Sequence, residues 1–241
     1  MWQRLPSATF ANAKQRAATP VLQNANRQRF FPVESVCAIG EVKSVLSVTD
    51  LKVALRKLAE VKLLRDFLSD PSYVYCAKES GLRSKFEPQC DERDQLVTFL
   101  LCERFDFDFA KNMESILSCY GEEHPKYPAN VRHNFVLSIK DGLLTYIFSK
   151  EDGVLYPFSM KLTDVFDCGG TDRVKSISAK PRTLTNRFIK PSPGSYEHIR
   201  HFSSLLHQAL TTVSVLFPEM GKYIPSQDEV QYKDIEPIRG F

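Results

Sequence analysis

No acidic residue stands before Glu34, and no aspartate before Asp50. Paired-carboxylate chemistry is therefore excluded from everything upstream of Glu34. No apolar run approaches the roughly 20 residues that a membrane-spanning helix needs, so no membrane role is expected. The N-terminus lacks the continuous apolar core of a secretory signal. The six cysteines (Cys37, Cys76, Cys90, Cys102, Cys119 and Cys168) include no Cys-x-x-Cys pair, which argues against a zinc site. Reduced thiols in a cytoplasmic setting are the expectation, with Cys37, Cys102 and Cys119 as core fillers. There is no Gly-rich phosphate loop and no Gly-x-Ser-x-Gly elbow. The single tryptophan, Trp2, is uninformative.

What is present is ordinary in total and uneven in distribution. The 241 residues carry a net charge of +3, which by itself names no partner. That length suits one large domain or two small ones. Upstream of Glu34 stand Arg4, Lys14, Arg16, Arg27 and Arg29. An acid-free basic arm can dock on phosphates, with Arg27 and Arg29 nearest the folded part. The same composition fits a frayed, solvated terminus. It also fits a mitochondrial presequence, although no clear amphipathic period runs through it.

Along the chain, residues 1–28 read as an irregular arm with a short strand near Val21 and Leu22. Residues 33–43 read as a buried strand. Ser47 to Asp50 offer N-cap chemistry, and Leu51, Ala54, Leu55, Leu58, Val61, Leu64 and Leu68 form a helical stripe. Lys52, Arg56, Lys57, Glu60 and Arg65 fall on the opposite face. Asp70-Pro71 is expected to end this helix. Residues 72–77 suit a short strand and 78–94 a loop or insertion. Leu96 to Cys102 is a nearly continuous apolar run, as in a central strand covered on both faces. A short helix is expected over 107–120, with Asp106 and Asp108 balancing its dipole. Residues 134–140 and 143–148 read as a hairpin around Asp141-Gly142. Turn formers dominate 149–194, which can hold short strands or a flap. A helix is expected from Tyr196 to Phe217, stopped by Pro218. His198, His201 and His207 on it read as boundary residues rather than metal ligands. Residues 221–241 read as a polar tail, leaving 29–220 as one domain with insertions at 78–94 and 149–194. Strands alternating with helices predict an α/β fold with a mixed central sheet between helices, three layers deep.

The chemistry concentrates in Phe31-Pro32-Val33-Glu34-Ser35-Val36 running into Ile39-Gly40-Glu41-Val42-Lys43-Ser44. An apolar strand has little reason to carry a carboxylate and an ammonium on one face unless they pair or react. Strand alternation puts Glu41 and Lys43 on one face with Cys37 and Ile39. A carboxylate beside a lysine can hold a divalent cation and steady a water or a phosphate oxygen. This segment, with the helix after it, resembles the PD-(D/E)xK superfamily, the restriction-endonuclease-like fold. More narrowly it resembles an uncharacterised bacterial family with such a core, the likeness extending through Leu96–Cys102, the hairpin and the last long helix.

The resemblance implies a metal-dependent nuclease acting on DNA, in prokaryotic defence or DNA processing. Glu41 would bind Mg²⁺ or Mn²⁺. Lys43 would orient the attacking water and stabilise charge on the phosphate. Lys52 would reach a backbone phosphate, against the simpler account of a solvated helix face. The chain departs from the pattern at the second acid, which belongs on the preceding strand. Residues 7–23 hold none, and Asn12 has no charge to offer a hard dication. Glu34 is the nearest acid and a candidate metal ligand, provided a bulge turns it toward Glu41. Three readings stay open: a nuclease; an inactive relative that binds nucleic acid, a protein partner or a second copy of itself; and an unrelated α/β domain with Glu41 and Lys43 as a structural ion pair.

Overall fold

The computed structural model describes residues 22–23, 29–69, 71–75, 86–89, 91–121, 127–148, 153–159 and 184–219. Most of the predicted arm, Arg27 included, and the polar tail lie outside this set. The short strand expected near Leu22 is present: β1 (Leu22–Gln23) pairs antiparallel with β2 (Arg29–Phe30).

The predicted 33–43 strand begins later than its apolar character suggests. Pro32 leads into a 3-10 turn at Val33–Ser35, and β3 runs from Ala38 to Leu46. α1 (Val48–Asp66) starts where the capping chemistry places it. Ser47 Oγ accepts from the backbone N–H of Asp50, and Asp50 Oδ2 in turn accepts from Ser47 Oγ. The helix ends at Asp66, one turn before Asp70-Pro71. Its buried stripe also differs from the predicted one. Leu51, Ala54, Leu55, Leu58 and Ala59 continue into Lys62 and Arg65, so Arg65, expected in solvent, is fully buried.

β4 (Tyr73–Tyr75) is followed by β5 (Val97–Phe105), the central strand foreseen in the apolar run. α2 (Phe109–Leu117) is capped by Asp108, whose Oδ1 accepts from the N–H groups of Ala110 and Lys111. Asp108 thus serves the helix end, as expected. β6 (Phe135–Ser138) and β7 (Gly142–Phe148) form the hairpin, with Gly142 at φ 139° where a Cβ would meet the Ile189 carbonyl oxygen. The turn-rich segment supplies β8 (Leu155–Tyr156) and β9 (Leu184–Ile189).

α3 spans Glu197–Thr212, shorter than the expected helix to Phe217. Leu216 is not on its face: Val215–Leu216 form β10, antiparallel to β4. The stop comes before Pro218, where Thr211, Thr212, Val213 and Val215 crowd β-branched side chains, which favour extended backbone, into five residues. The buried Arg65 guanidinium fixes the exit, donating to the Ser214 carbonyl as well as to those of Val36 and Asp94.

The main sheet is mixed and six-stranded. β3, β5 and β6 run parallel; β7 is antiparallel to β6, and also pairs antiparallel with β8 and β9. Both parallel crossovers place their helices on one side, so α1 and α2 cover one face and α3 the other. The first core joins Leu51, Leu55, Leu100, Phe105, Ile116 and Val136. The second joins Phe99, Phe135, Leu137, Leu143, Phe202 and Leu205. The fold is therefore α/β, a mixed sheet flanked by helices in three layers. Cys37, just before β3, packs in the α3-side core while Ile39 packs under α1, so these two do not share the face proposed for them. No helix among the described residues is long and apolar enough to cross a membrane.

Candidate functional site

β3 is an edge strand among the described residues, paired only with β5. Its first half, through Glu41, is buried, and Val42 to Val45 are exposed. Glu41 thus sits where the strand leaves the core. In parallel register it lies beside Leu100, on the row that continues to Val136 and Leu144. Those three residues belong to the α1/α2-side core, so the carboxylate has apolar neighbours along its row.

Lys43 lies one step further out on the same face, beside Cys102. Its Nζ is 2.9 Å from Glu41 Oε1. The two side chains differ sharply in exposure: 8% for Glu41 and 46% for Lys43. A buried carboxylate is thereby neutralised by an ammonium that still has an open side. Such an ammonium can hold a second anion at the mouth of the site. The local backbone is tight. A Cβ at Gly40 would lie 2.3 Å from Cε2 and Cζ of Phe99, so glycine is needed directly before Glu41.

Level with the exposed end of β3 are the ends of β5 and β6, where α/β sheets commonly place ligands. Two of the acids there, Asp141 and Glu103, are committed to structure. Asp141 Oδ2 accepts from the Phe105 N–H and the Ser138 hydroxyl, both at 2.6 Å, closing the hairpin turn. Glu103 pairs with Lys140 at 2.7 Å, and that hydrogen bond holds its carboxyl below the usual range. Cys102, beneath Lys43, is pushed up to about 11 by burial, which keeps it a thiol.

The remaining candidates are scattered. Glu34 is buried in the 3-10 turn before β3, not on the strand, and its charge acts on Arg65. A bulge in β3 could not bring it to Glu41, because it lies outside the strand altogether. Lys52 Nζ donates to Ser115 Oγ at 3.0 Å, bridging α1 to α2. Arg29 lies on β2. His198 is buried, with Nε2 2.9 Å from the Ile139 carbonyl oxygen.

Whether these residues suit a divalent cation can be judged from their donors. Mg²⁺ calls for near-octahedral oxygen ligation and charge compensation. Glu41 offers one carboxylate, already ion-paired, and no group of three metal-ligating side chains occurs among the described residues. The described donors therefore do not by themselves fit the ion.

Sequence reasoning missed the other buried polar centre. Lys62 is 1% exposed, with Nζ 2.7 Å from the Arg132 carbonyl oxygen; burial lowers its pKa to about 7. His133, stacked between Tyr120 and Tyr146, is lowered to about 3 by burial and by the charges of Lys62 and Arg132. The available signal was spacing: Lys62 and Arg65 continue the Leu55–Leu58 register of α1.

No protein-family model and no curated protein matches the chain. Among solved structures it is similar to E. coli MS115-1 NucC in its apo form, at 16% identity over 86% of this chain and 70% of that one, with a TM-score of 0.46. It is also similar to P. aeruginosa ATCC27853 NucC in its cAAA-bound form, at 15% identity over 86% and 67%, TM-score 0.46. For the cAAA-bound form of the E. coli protein the figures are 18%, 86%, 66% and 0.44.

Proposed function

We propose that this chain is a nuclease-like α/β protein that acts on DNA, with Glu41 and Lys43 at the reacting phosphate. One observation carries the reading: a buried carboxylate paired at 2.9 Å with a half-exposed ammonium, where an apolar edge strand leaves the core. A pair serving stability alone would do as well fully solvated, where it costs little desolvation. Lys43 supplies a positive charge to a phosphate oxygen, and Glu41 holds that ammonium in place. Hydrolysis of the phosphodiester bond would need a further carboxylate beside Glu41.

A second reading rests on that same need. With a single ion-paired carboxylate, the protein binds DNA or a protein partner without cutting. The experiment that separates the two is a cleavage assay on single- and double-stranded DNA with Mg²⁺ or Mn²⁺, run with wild type, Glu41→Ala and Lys43→Ala. Cleavage lost in both variants and in chelator supports the nuclease. Binding without cleavage, weakened by Lys43→Ala, supports the second reading. Cleavage that survives both substitutions removes Glu41 and Lys43 from the mechanism.

A further inference from the structure

β9 closes the sheet opposite β3, and among the described residues its outer edge pairs with no strand. A cleft flanks this strand on each face. On the α3 side, Ile147, Leu155, Ile189 and His201 line a cleft of about 480 Å³. On the α2 side, Ala110, Met113 and Phe188 line one of about 600 Å³. Arg187 and Ile189 line both, and Asn186 and Lys190 line the second. Alternation along β9 explains the pairing: Ile189 packs toward the α3-side core and Phe188 toward the α1/α2-side core.

An open strand edge offers a ladder of backbone donors and acceptors. A strand added there would point successive side chains into the two clefts in turn, the geometry of peptide recognition by strand addition. Both clefts pair apolar side chains with neutral or basic polar ones, and no carboxylate occurs among their described lining residues. Arg187 and Lys190 make the edge cationic and are both exposed. We propose that the β9 edge docks an extended, acidic segment of a partner protein, with acidic and apolar side chains interleaved. A second copy pairing β9 to β9 is disfavoured, because it brings like charges together.

The test is selection of a displayed random-peptide library on the full-length protein, with counter-selection on Arg187→Glu/Lys190→Glu. Both residues are exposed, so the doubly substituted chain should fold, and its urea midpoint checks that. The expected result is enrichment of sequences in which acids interleave with apolar residues. A synthetic peptide of the leading sequence should bind saturably, about tenfold or more weaker to the double variant. It should not bind when every backbone nitrogen is methylated, since strand pairing needs those N–H groups. Undiminished binding of the methylated peptide, or enrichment indifferent to charge, overturns the proposal. So does displacement of the peptide by an oligothymidine that binds the same residues, which would assign the edge to single-stranded nucleic acid. Failure to enrich any sequence above the counter-selected pool also overturns it.

Discussion

Lys43 Nζ stands 2.9 Å from Glu41 Oε1, joining a buried carboxylate to an ammonium half in solvent. The asymmetry predicts unequal costs of breaking the pair. Lys43→Met strands a buried carboxylate and should destabilise by about 1 kcal/mol. That is below the roughly 3–5 kcal/mol for a fully buried pair, because water already screens the ammonium. Glu41→Gln leaves only an exposed lysine and should stay within about 0.5 kcal/mol of wild type. Urea denaturation of the two variants gives the comparison. Equal costs would mean that Glu41 is better solvated than its burial indicates.

Gly40 fixes how closely β3 approaches Phe99, whose ring also packs edge-on against Phe202 at 6.0 Å. Gly40→Ala should therefore cost about 1–3 kcal/mol through overpacking. In the Phe99→Leu background the same substitution should cost less, since the clashing ring is gone. A double-mutant cycle by denaturation reads this coupling directly. Additive effects would show that the two residues do not collide.

Arg65 ties the end of α1 to the segments before β3, before β5 and after α3, through the carbonyls of Val36, Asp94 and Ser214. Arg65→Met removes a buried donor from three backbone carbonyls at once, at a cost of about 3–5 kcal/mol. Lys62→Met should be far milder. It takes away a buried amine held by one described hydrogen bond, to the Arg132 carbonyl. The urea midpoints of these two variants should separate clearly.

Lys62 also gives stability a pH dependence of known sign. Its pKa is lowered from 10.5 to about 7 in the folded protein by burial. Between those values the unfolded chain binds the extra proton, so stability rises with pH there, by up to about 1.4 kcal/mol per unit. Its contribution is full above the unfolded pKa and lost as pH falls through about 7. His133, lowered from 6.5 to about 3, acts in the same direction between those two values. Asp66, raised from 3.8 to about 6 by burial, opposes it over an overlapping range: its contribution is present below 3.8 and lost as pH rises through about 6. The rise from pH 7 to 9 is the clean signature, because above pH 9 Cys102 and Cys119, raised from 9.0 to about 11 by burial, oppose it. Denaturation across pH 7 to 9 should show the rise flattened in Lys62→Met. An unchanged slope would mean that Lys62 is not the group responsible.

Much of the fold is legible where local chemistry and packing agree. Ser47 caps α1 because its hydroxyl meets the Asp50 N–H, a purely local matter. The run from Leu96 reads as a central strand because both its faces are covered. Legibility fails where tertiary partners decide. The end of α3 depends on Arg65, distant in sequence, and on β4, which takes Val215–Leu216 into a strand. Arg65 itself reads as a surface residue until the carbonyls that satisfy it are in place. The site shows the same division. Glu41 and Lys43 come together because they are two apart on one strand. Glu34 separates from them because Pro32 starts a turn that keeps it off β3.

The measurement that bears most directly on the proposed function is nicking of supercoiled plasmid by wild type, Glu41→Gln and Lys43→Met. It is run with Mn²⁺ and with chelator, on samples that urea denaturation shows to be folded under the assay conditions. If the pair sits at the reacting phosphate, wild type nicks the plasmid, both near-isosteric variants lose at least about a hundredfold in rate, and chelator abolishes the reaction. A folded wild type that leaves the plasmid intact, or variants that nick as fast as wild type, would contradict a catalytic role for Glu41 and Lys43.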